Sequence, residues 1–208
     1  HSTTTLCFTS GTHELRACAA CRFHFISPYP EMKSSEEKVR EFEFEEEVEV
    51  RNPAKHYRTE LMFYERWYPR IRASCGVPDS VLDVGCGTGR LLQLFAADGV
   101  QRRTGIELNA ARAGLARQHA GCEILEVPVE EFAPDAPYAL VTMINVFSHI
   151  PHVPLWLEGV RRLLQENGHL LMLTGEIQPG VQRGDMFDWQ IPSHVQWLGK
   201  GTLAALCE

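Results

Sequence analysis

Short apolar runs alternate with amphipathic segments from about residue 80 to the end of the chain. Short β-branched and aliphatic runs are typical of buried strands, whereas apolar residues spaced three and four apart are typical of helices. The pattern predicts strands at 81–84, 104–108, 122–127, 139–144 and 169–174, and helices at 91–95, 110–119, 155–164 and 201–208. We expect Asn167 and Gly168 to end the third helix as a C-terminal cap. This alternation predicts an α/β fold with a doubly wound, mainly parallel sheet.

The part of the chain before this alternation has a different character. Residues 1–30 show no regular period, and we expect them to be irregular. The stretch 31–51 contains nine Glu against four basic residues, which is typical of a solvated helix face or a linker. Residues 54–74 repeat aromatic and aliphatic side chains at helical spacing, which predicts a helix packed on the main domain. We therefore divide the chain into segments 1–30, 31–78 and 79–208.

Three glycines at alternate positions join the first predicted strand to its helix, namely Gly85, Gly87 and Gly89. Glycine permits positive φ angles and lets the backbone approach a ligand closely. The helix that follows offers free N–H groups and the positive end of its dipole. Asp83 lies on the strand, two residues before the first glycine. The pattern favours a cofactor-binding turn over a plain tight turn between a strand and a helix.

Segment 83–89, with the sequence Asp-Val-Gly-Cys-Gly-Thr-Gly, resembles motif I of the class I S-adenosylmethionine (SAM) methyltransferases, D/E-x-G-x-G-x-G. The competing dinucleotide-binding turn, G-x-G-x-x-G, requires a small residue where this chain has Arg90. The resemblance implies a Rossmann-like fold with SAM as cofactor. It assigns the binding of SAM to Asp83, Gly85, Cys86, Gly87 and Gly89.

Glu107 closes the second predicted strand, 18 residues after Gly89. An acid at that strand end can accept hydrogen bonds from both hydroxyl groups of a ribose. Nucleotide-binding and SAM-binding domains both use such an acid, so Glu107 does not distinguish the two classes of domain. The alternative to a binding role is that Glu107 is simply a solvated acid after a strand. Together with the glycine turn it predicts an adenosine site, to which we assign Glu107 and Leu108.

The resemblance extends the predicted cofactor site to two further strand ends. In the family, the loop after the third strand flanks the adenine, which implies contacts from Val129 and Glu130. The end of the fourth strand faces the methionine part of SAM in the family, which implies contacts from Ile144 and Asn145.

Two histidines are candidate general bases. Segment 147–152 resembles the E-H-[VI]-P stretch of quinone-pathway O-methyltransferases, with His149 at their histidine and Ser148 in place of the Glu. His194 lies in a segment that resembles a P-x-H stretch bordering the substrate in the family. An imidazole that titrates near neutrality can accept a proton from a hydroxyl nucleophile. The alternative for His149 is that it only shapes its loop.

Cys18 and Cys21 form a C-x-x-C pair, followed by aromatic residues, Pro28 and Pro30. Two thiolates at this spacing can ligate one zinc ion. A redox C-x-x-C normally opens a helix, which the prolines disfavour, and two unrelated cysteines are the third alternative. The segment resembles the second half of the zinc ribbon that precedes one group of these methyltransferases, which implies a structural zinc. Arg22 stands where that ribbon usually has glycine, and the ribbon's first cysteine pair is absent, so the ribbon is partial.

Composition narrows the class of function. A net charge of −7 argues against a nucleic-acid partner, because such binding normally needs a basic face. No apolar run reaches the length of a membrane span, and no signal-peptide pattern opens the chain. Seven cysteines fit a reducing compartment better than a disulfide framework. We therefore predict a cytoplasmic protein, with a homodimer as a candidate assembly.

The sequence as a whole predicts SAM-dependent methyl transfer to a small-molecule acceptor by in-line displacement. Methylation at oxygen, nitrogen or carbon stays open, as does the identity of the acceptor. In the family an antiparallel hairpin closes the sheet after its last helix, and we expect this chain to end before that hairpin. The alternatives are an NAD-linked oxidoreductase and a non-catalytic SAM-binding or interaction module.

Overall fold

The computed structural model describes residues 3–29, 53–150, 153–186, 191 and 194–207, the side chains of 53–57 and 207 excepted. The chain divides into two compact units. The terminal unit comprises His1–Met32, Asn145–Val153 and Leu173–Glu208, and the central unit comprises Lys33–Ile144 and Pro154–Met172.

The elements are labelled in chain order. The described strands are β1 (Thr4–Ser10), β2 (His13–Cys18), β3 (His24–Ser27), β4 (Ser80–Val84), β5 (Arg102–Ile106), β6 (Glu123–Leu125), β7 (Tyr138–Ile144), β8 (Leu164–Leu173), β9 (Glu176–Ile177) and β10 (Gln196–Gly199). The described α-helices are α1 (Pro53–Cys75), α2 (Arg90–Ala97), α3 (Ala110–Ala120), α4 (Val153–Leu163) and α5 (Thr202–Cys207). Short 3-10 turns lie at Phe147–His149 and Arg183–Asp185. Within the described parts of the chain, no helix combines the length and the apolar character needed to cross a membrane.

The sheet of the central unit has five strands in the order β6-β5-β4-β7-β8. The β4–β5, β4–β7 and β5–β6 pairs are parallel. If β4 to β8 are numbered 1 to 5 in chain order, the order across the sheet is 3-2-1-4-5. The chain therefore runs outwards in opposite directions on the two sides of β4, as it does in doubly wound folds. The predicted Rossmann-like fold is therefore confirmed.

The core of the central unit follows from the pattern of the sequence. All five residues of β4 are buried, as expected for a strand covered on both faces. Leu91, Leu92 and Phe95 of α2 are fully buried, and they are the residues whose spacing predicted that helix. Fully burying an aliphatic or aromatic side chain contributes about 1.5–3 kcal/mol, so these contacts fix α2 on the sheet.

The terminal unit contains a second sheet, in the order β1-β2-β3-β10-β9. Strand β3 pairs antiparallel with β10, where Phe25 lies opposite Gln196 and His24 opposite Trp197. The buried core of this unit consists of Leu15, Ile26, Ile177, Val195 and Trp197. Residues from both ends of the chain therefore share one sheet and one core.

The expectation that residues 1–30 are irregular is wrong, because they form β1, β2 and β3. Leu15 and Ala17 of β2 are buried and alternate with partly exposed neighbours. The strand period of two is thus present, but polar residues such as Arg16 occupy the outward positions and the buried run is short. The acidic stretch 31–51 lies outside the described residues.

The predicted cap at Asn167 and Gly168 is also wrong. Helix α4 ends at Leu163, and both residues lie inside β8. Asn167 takes the positive φ of +60°, which asparagine tolerates better than most residues. A Cβ at Gly168 would approach the Tyr138 carbonyl oxygen to 3.1 Å, so the glycine admits a close approach of β7. The signal that indicated a helix end instead marks an irregular point in a strand.

Candidate active site

The carboxyl ends of β4, β5, β6 and β7 lie at one edge of the central sheet, because their pairings are parallel. The predicted cofactor residues of the central unit follow these strand ends. They are Asp83, Gly85, Cys86, Gly87 and Gly89 at β4, Glu107 and Leu108 after β5, Val129 and Glu130 after β6, and Ile144 at the end of β7. Ligands of doubly wound folds bind at this edge, next to the point where the strand order reverses.

The glycine turn is held by backbone hydrogen bonds. The N–H groups of Gly85 and Cys86 both donate to the Ile106 carbonyl oxygen, at 2.7 and 2.9 Å. Gly89, at φ +80°, is the residue that precedes helix α2. A Cβ at Gly89 would lie 3.1 Å from the Ala116 Cα atom, so α3 packs directly on the turn. Glycine is needed here both for the φ angle and for the close approach.

Glu107 is buried, and its carboxylate organises the turn. One oxygen accepts a hydrogen bond from the Gly87 N–H and the other from the Asn109 N–H, both at 2.9 Å. Burial raises the pKa of Glu107, while nearby Arg112 and the two N–H donors oppose that rise. The predicted ribose acceptor is thus fixed against the glycine turn.

Asp83 is 1% exposed and lies opposite Thr142 of β7. The Thr142 hydroxyl donates to Oδ1 at 2.6 Å, and Oδ2 is buried without a hydrogen-bond partner among the described residues. The pKa of Asp83 is raised to about 7, chiefly by burial. The Thr142 hydrogen bond opposes this rise, and the carboxylates of Glu60 and Glu107 add to it. Three carboxyl groups therefore influence one another around the glycine turn.

Sequence reasoning missed Glu60 and Tyr64 of helix α1. The Glu60 carboxylate accepts hydrogen bonds from the Thr88 hydroxyl and from the Thr88 N–H, the latter at 3.4 and 3.5 Å. A Cβ at Gly87 would lie 2.5 Å from Glu60 Oε1. Tyr64 is buried, and burial and then Asp83 raise its pKa well above the usual value. The two side chains are four residues apart on one helix face, and a charged residue within that aromatic stripe was the available signal.

The remaining predicted cofactor residues differ in exposure. Val129 and Ile144 are both buried, at 7%. Glu130 is partly exposed, and its carbonyl oxygen accepts from an Arg162 Nη2 donor at 3.3 Å. Asn145 belongs to the terminal unit, where it takes a φ of +58° and its N–H donates to the Leu173 carbonyl oxygen at 2.7 Å.

The two predicted bases, His149 and His194, lie together in the terminal unit. Their ring centroids are 4.3 Å apart, and the Trp197 ring stacks on His194 at 6.2 Å. His149 ends the 3-10 turn Phe147–His149. Burial, and to a smaller extent the neighbouring His149, lower the pKa of His194 to about 4. His194 therefore carries a neutral imidazole at neutral pH, the form that can accept a proton.

Cys18 is the last residue of β2, and Cys21 lies in the turn that leads to β3. The turn is closed by the Arg22 N–H, which donates to the Cys18 carbonyl oxygen at 3.0 Å. Arg22, at the position where the resembling ribbon usually has glycine, takes a φ of +62°, a left-handed conformation that glycine adopts most readily. Among the described residues, no group of three or more His, Cys, Asp or Glu side chains is placed to hold a metal ion. The described residues therefore do not supply the four ligands of a structural zinc site.

Comparison with known proteins supports the fold and the family. Residues 54–208 match the family model described as a methyltransferase domain. A ubiquinone biosynthesis O-methyltransferase of Acinetobacter baylyi is 32% identical over 102 residues, which are 45% of this chain and 42% of that protein. The alignment thus spans less than half the length of this curated relative.

Two solved structures share the fold at low sequence identity. The PH0226 protein of Pyrococcus horikoshii OT3 aligns with a TM-score of 0.50 and 22% identity, over 61% of this chain and 57% of that one. A DhpI–S-adenosylhomocysteine complex aligns with a TM-score of 0.50 and 19% identity, over 66% and 67%. Because the family model covers more than half of the 208 residues, the chain belongs to the methyltransferase domain family and has the class I SAM methyltransferase fold that its glycine turn predicted.

Proposed function

We propose that this protein binds SAM at the glycine turn and transfers its methyl group to a small-molecule acceptor. Membership of the methyltransferase domain family supports this proposal. The single observation that carries the choice of cofactor is that two carboxylates, Glu60 and Glu107, accept hydrogen bonds from N–H groups of the turn, next to the buried carboxyl group of Asp83.

The hydrogen bonds of the turn favour SAM over a dinucleotide. A pyrophosphate binds to open N–H groups at a helix N-terminus. Here the Gly87 N–H donates to Glu107 and the Thr88 N–H to Glu60, so carboxylates already occupy these donors. A dianionic pyrophosphate would meet repulsion from them. SAM carries a sulfonium and an ammonium group against one carboxylate, so its net positive charge suits this site.

The chain's own residues also fit the other parts of SAM. An ionised carboxylate offers about four lone-pair positions, so Glu107 can accept ribose hydroxyls while it keeps its two N–H donors. The buried, unpartnered Oδ2 of Asp83 is an acceptor for a cationic or N–H group of a ligand. When bound, SAM would supply an electrophilic methyl group on its sulfur.

The protein's contribution to the reaction is then alignment and one proton transfer. Holding two reactants in line contributes the larger part of such catalysis. We assign the proton transfer to the pair His149 and His194, whose rings are in contact. His149 is the first candidate, because a pKa of about 4 makes the His194 imidazole a weak base at neutral pH. A positioned base contributes roughly 10²- to 10⁴-fold when the nucleophile is a hydroxyl.

A hydroxyl-bearing small molecule is the first acceptor class to test, because the curated relative is named as an O-methyltransferase. The experiment measures S-adenosylhomocysteine formed from SAM with a panel of catechols, phenols, amines and carboxylic acids. We expect turnover with at least one class and a loss of roughly 10²-fold or more in H149Q. SAM binding without turnover on any class would instead favour the non-catalytic binding module.

Four further features stay predictions. A structural zinc at Cys18 and Cys21 would need two more ligands from outside the described residues, and metal analysis of the purified protein tests it. A homodimer, the absence of a nucleic-acid partner and a cytoplasmic location are tested by light scattering, electrophoretic mobility shift and cell fractionation.

A further inference from the structure

A chain of side-chain hydrogen bonds joins the N-terminal strands to the turn that carries His149. The Tyr29 hydroxyl donates to Gln196 Oε1 at 2.7 Å. The Gln196 Nε2 group donates in turn to the carbonyl oxygen of Phe147 at 2.9 Å. Phe147 opens the 3-10 turn that His149 ends. One amide group thus connects Tyr29, just after β3, with the histidine turn.

The burial of Gln196 makes this arrangement specific. Gln196 is 0% exposed, so its amide group could not replace a lost partner with a hydrogen bond to water. Leaving a buried polar group unsatisfied costs about 1–3 kcal/mol. The amide has one acceptor oxygen and one donor nitrogen, and the two described partners use one of each. Gln196 therefore holds one orientation between Tyr29 and Phe147.

Backbone hydrogen bonds run alongside the side-chain contacts. The Val195 N–H donates to the Ser148 carbonyl oxygen at 2.8 Å, and the Ile26 N–H donates to the Val195 carbonyl oxygen at 3.0 Å. Val195 directly follows His194. The start of β10 is thus fixed on one side by the histidine turn and on the other by β3, which sets the position of both histidines.

We propose that Gln196, held by Tyr29, is a positioning residue that keeps His149 in contact with His194. The inference rests on the proposed role of this histidine pair as base. It gives Tyr29 a role in positioning the histidine pair that does not depend on zinc. A rotation of the histidine turn would separate two rings whose centroids are 4.3 Å apart.

The variant Y29F tests the proposal with the least change to the fold, because it removes a single hydroxyl. The matched control is Y68F, which removes a hydroxyl that donates to Asp98 in the central unit. A second variant, Q196E, keeps an acceptor for Tyr29 but replaces the amide donor to Phe147 with a carboxyl oxygen. All three are compared with the wild type by NMR of the imidazole protons, assigned through H149Q and H194Q.

We expect Y29F and Q196E to move the imidazole signals of both histidines, whereas Y68F leaves them in place. We also expect SAM affinity to stay at the wild-type value in Y29F while turnover falls roughly 10- to 100-fold, because small misplacements of catalytic groups have effects of this size. Imidazole signals unchanged in Y29F and Q196E would overturn the inference. Wild-type protein that binds SAM but methylates no acceptor would count against the proposed function, and the NMR comparison would still decide the positioning role.

Discussion

The backbone N–H of Gly87 donates a 2.9 Å hydrogen bond to the buried carboxylate of Glu107. This bond ties the glycine turn after β4 to the end of β5, although the two residues are 20 positions apart in the chain. It places the residue proposed to bind the ribose against the residues proposed to bind the rest of SAM. Four predictions about single residues follow from this site and from the histidine pair.

Replacing Glu107 by Gln should weaken SAM binding by about tenfold or more. The change removes the charge and one of the acceptor oxygens, and hydrogen bonds that involve a charged group contribute about 1.5–3 kcal/mol. The matched control is E123Q, because Glu123 is exposed on the neighbouring strand β6. Isothermal titration calorimetry of both variants decides the point, and equal affinities in E107Q and E123Q would contradict the assignment.

Replacing Gly89 by Ala should destabilise the fold more than the same change at Gly99. Both glycines have strongly positive φ angles, +80° and +88°, so both changes carry the strain of a left-handed residue. Only at Gly89 would the new Cβ meet α3, at 3.0 Å from the Ala120 Cβ atom, whereas nothing lies within 4 Å of it at Gly99. We expect urea unfolding to show that G89A loses about 1–3 kcal/mol more free energy of unfolding than G99A, because crowding in a packed core has effects of that size. Equal losses would show that α3 does not pack on the turn.

The buried Asp83 should make the stability of the protein depend on pH. Burial raises its pKa to about 7, above the value of about 3.9 for an unfolded chain. Between these values the folded state holds a proton that the unfolded state releases, so this contribution to stability is lost as the pH rises from about 4 to about 7. D83N cannot titrate and keeps an acceptor for Thr142. Its stability relative to wild type should therefore rise across this window by up to about 4 kcal/mol, because each unit of pKa difference corresponds to about 1.4 kcal/mol.

Urea unfolding of wild type and D83N at several pH values measures this difference directly. Groups that titrate identically in both proteins cancel in the comparison. A difference that stays constant from pH 4.5 to 8 would mean that Asp83 is ionised throughout, in conflict with its burial at 1% exposure.

Replacing His149 by Gln should raise the pKa of His194. Burial is the larger cause of the lowered value of about 4, and the charge of His149 is the second cause. Removing His149 should therefore raise the NMR titration midpoint of His194 but leave it below the ordinary value of about 6.5. H169Q serves as the control, because His169 is exposed on β8. An unchanged midpoint in H149Q would indicate that the two rings do not interact in solution.

The glycine turn and the strands of the central unit could be predicted because their signals are local. The alternation of apolar runs located β4 to β8, and Asp83 with its three glycines indicated the cofactor class before any contact was known. Two short motifs also singled out His149 and His194, 45 residues apart in sequence, although neither motif predicted that the two rings are in contact. Short local motifs were therefore enough to predict the family and most residues of the candidate site.

Other features could not be read from local patterns. The pairing of Phe25 with Gln196 joins the two ends of the chain, and nothing near either residue indicates its partner. In the sequence, Glu60 is one of several charged residues on a predicted helix, and only the structure shows that its carboxylate accepts a hydrogen bond from the Thr88 N–H. Asn167 and Gly168 show the converse case, in which a local signal for a helix end is overridden by the close approach of β7.

The most direct test of the central claim is calorimetric titration of the wild-type protein with SAM, S-adenosylhomocysteine and NAD in parallel. The carboxylates around the glycine turn predict binding of both sulfur ligands, with SAM favoured by its positive sulfonium, and no binding of NAD. Binding of NAD without binding of either sulfur ligand would contradict the account.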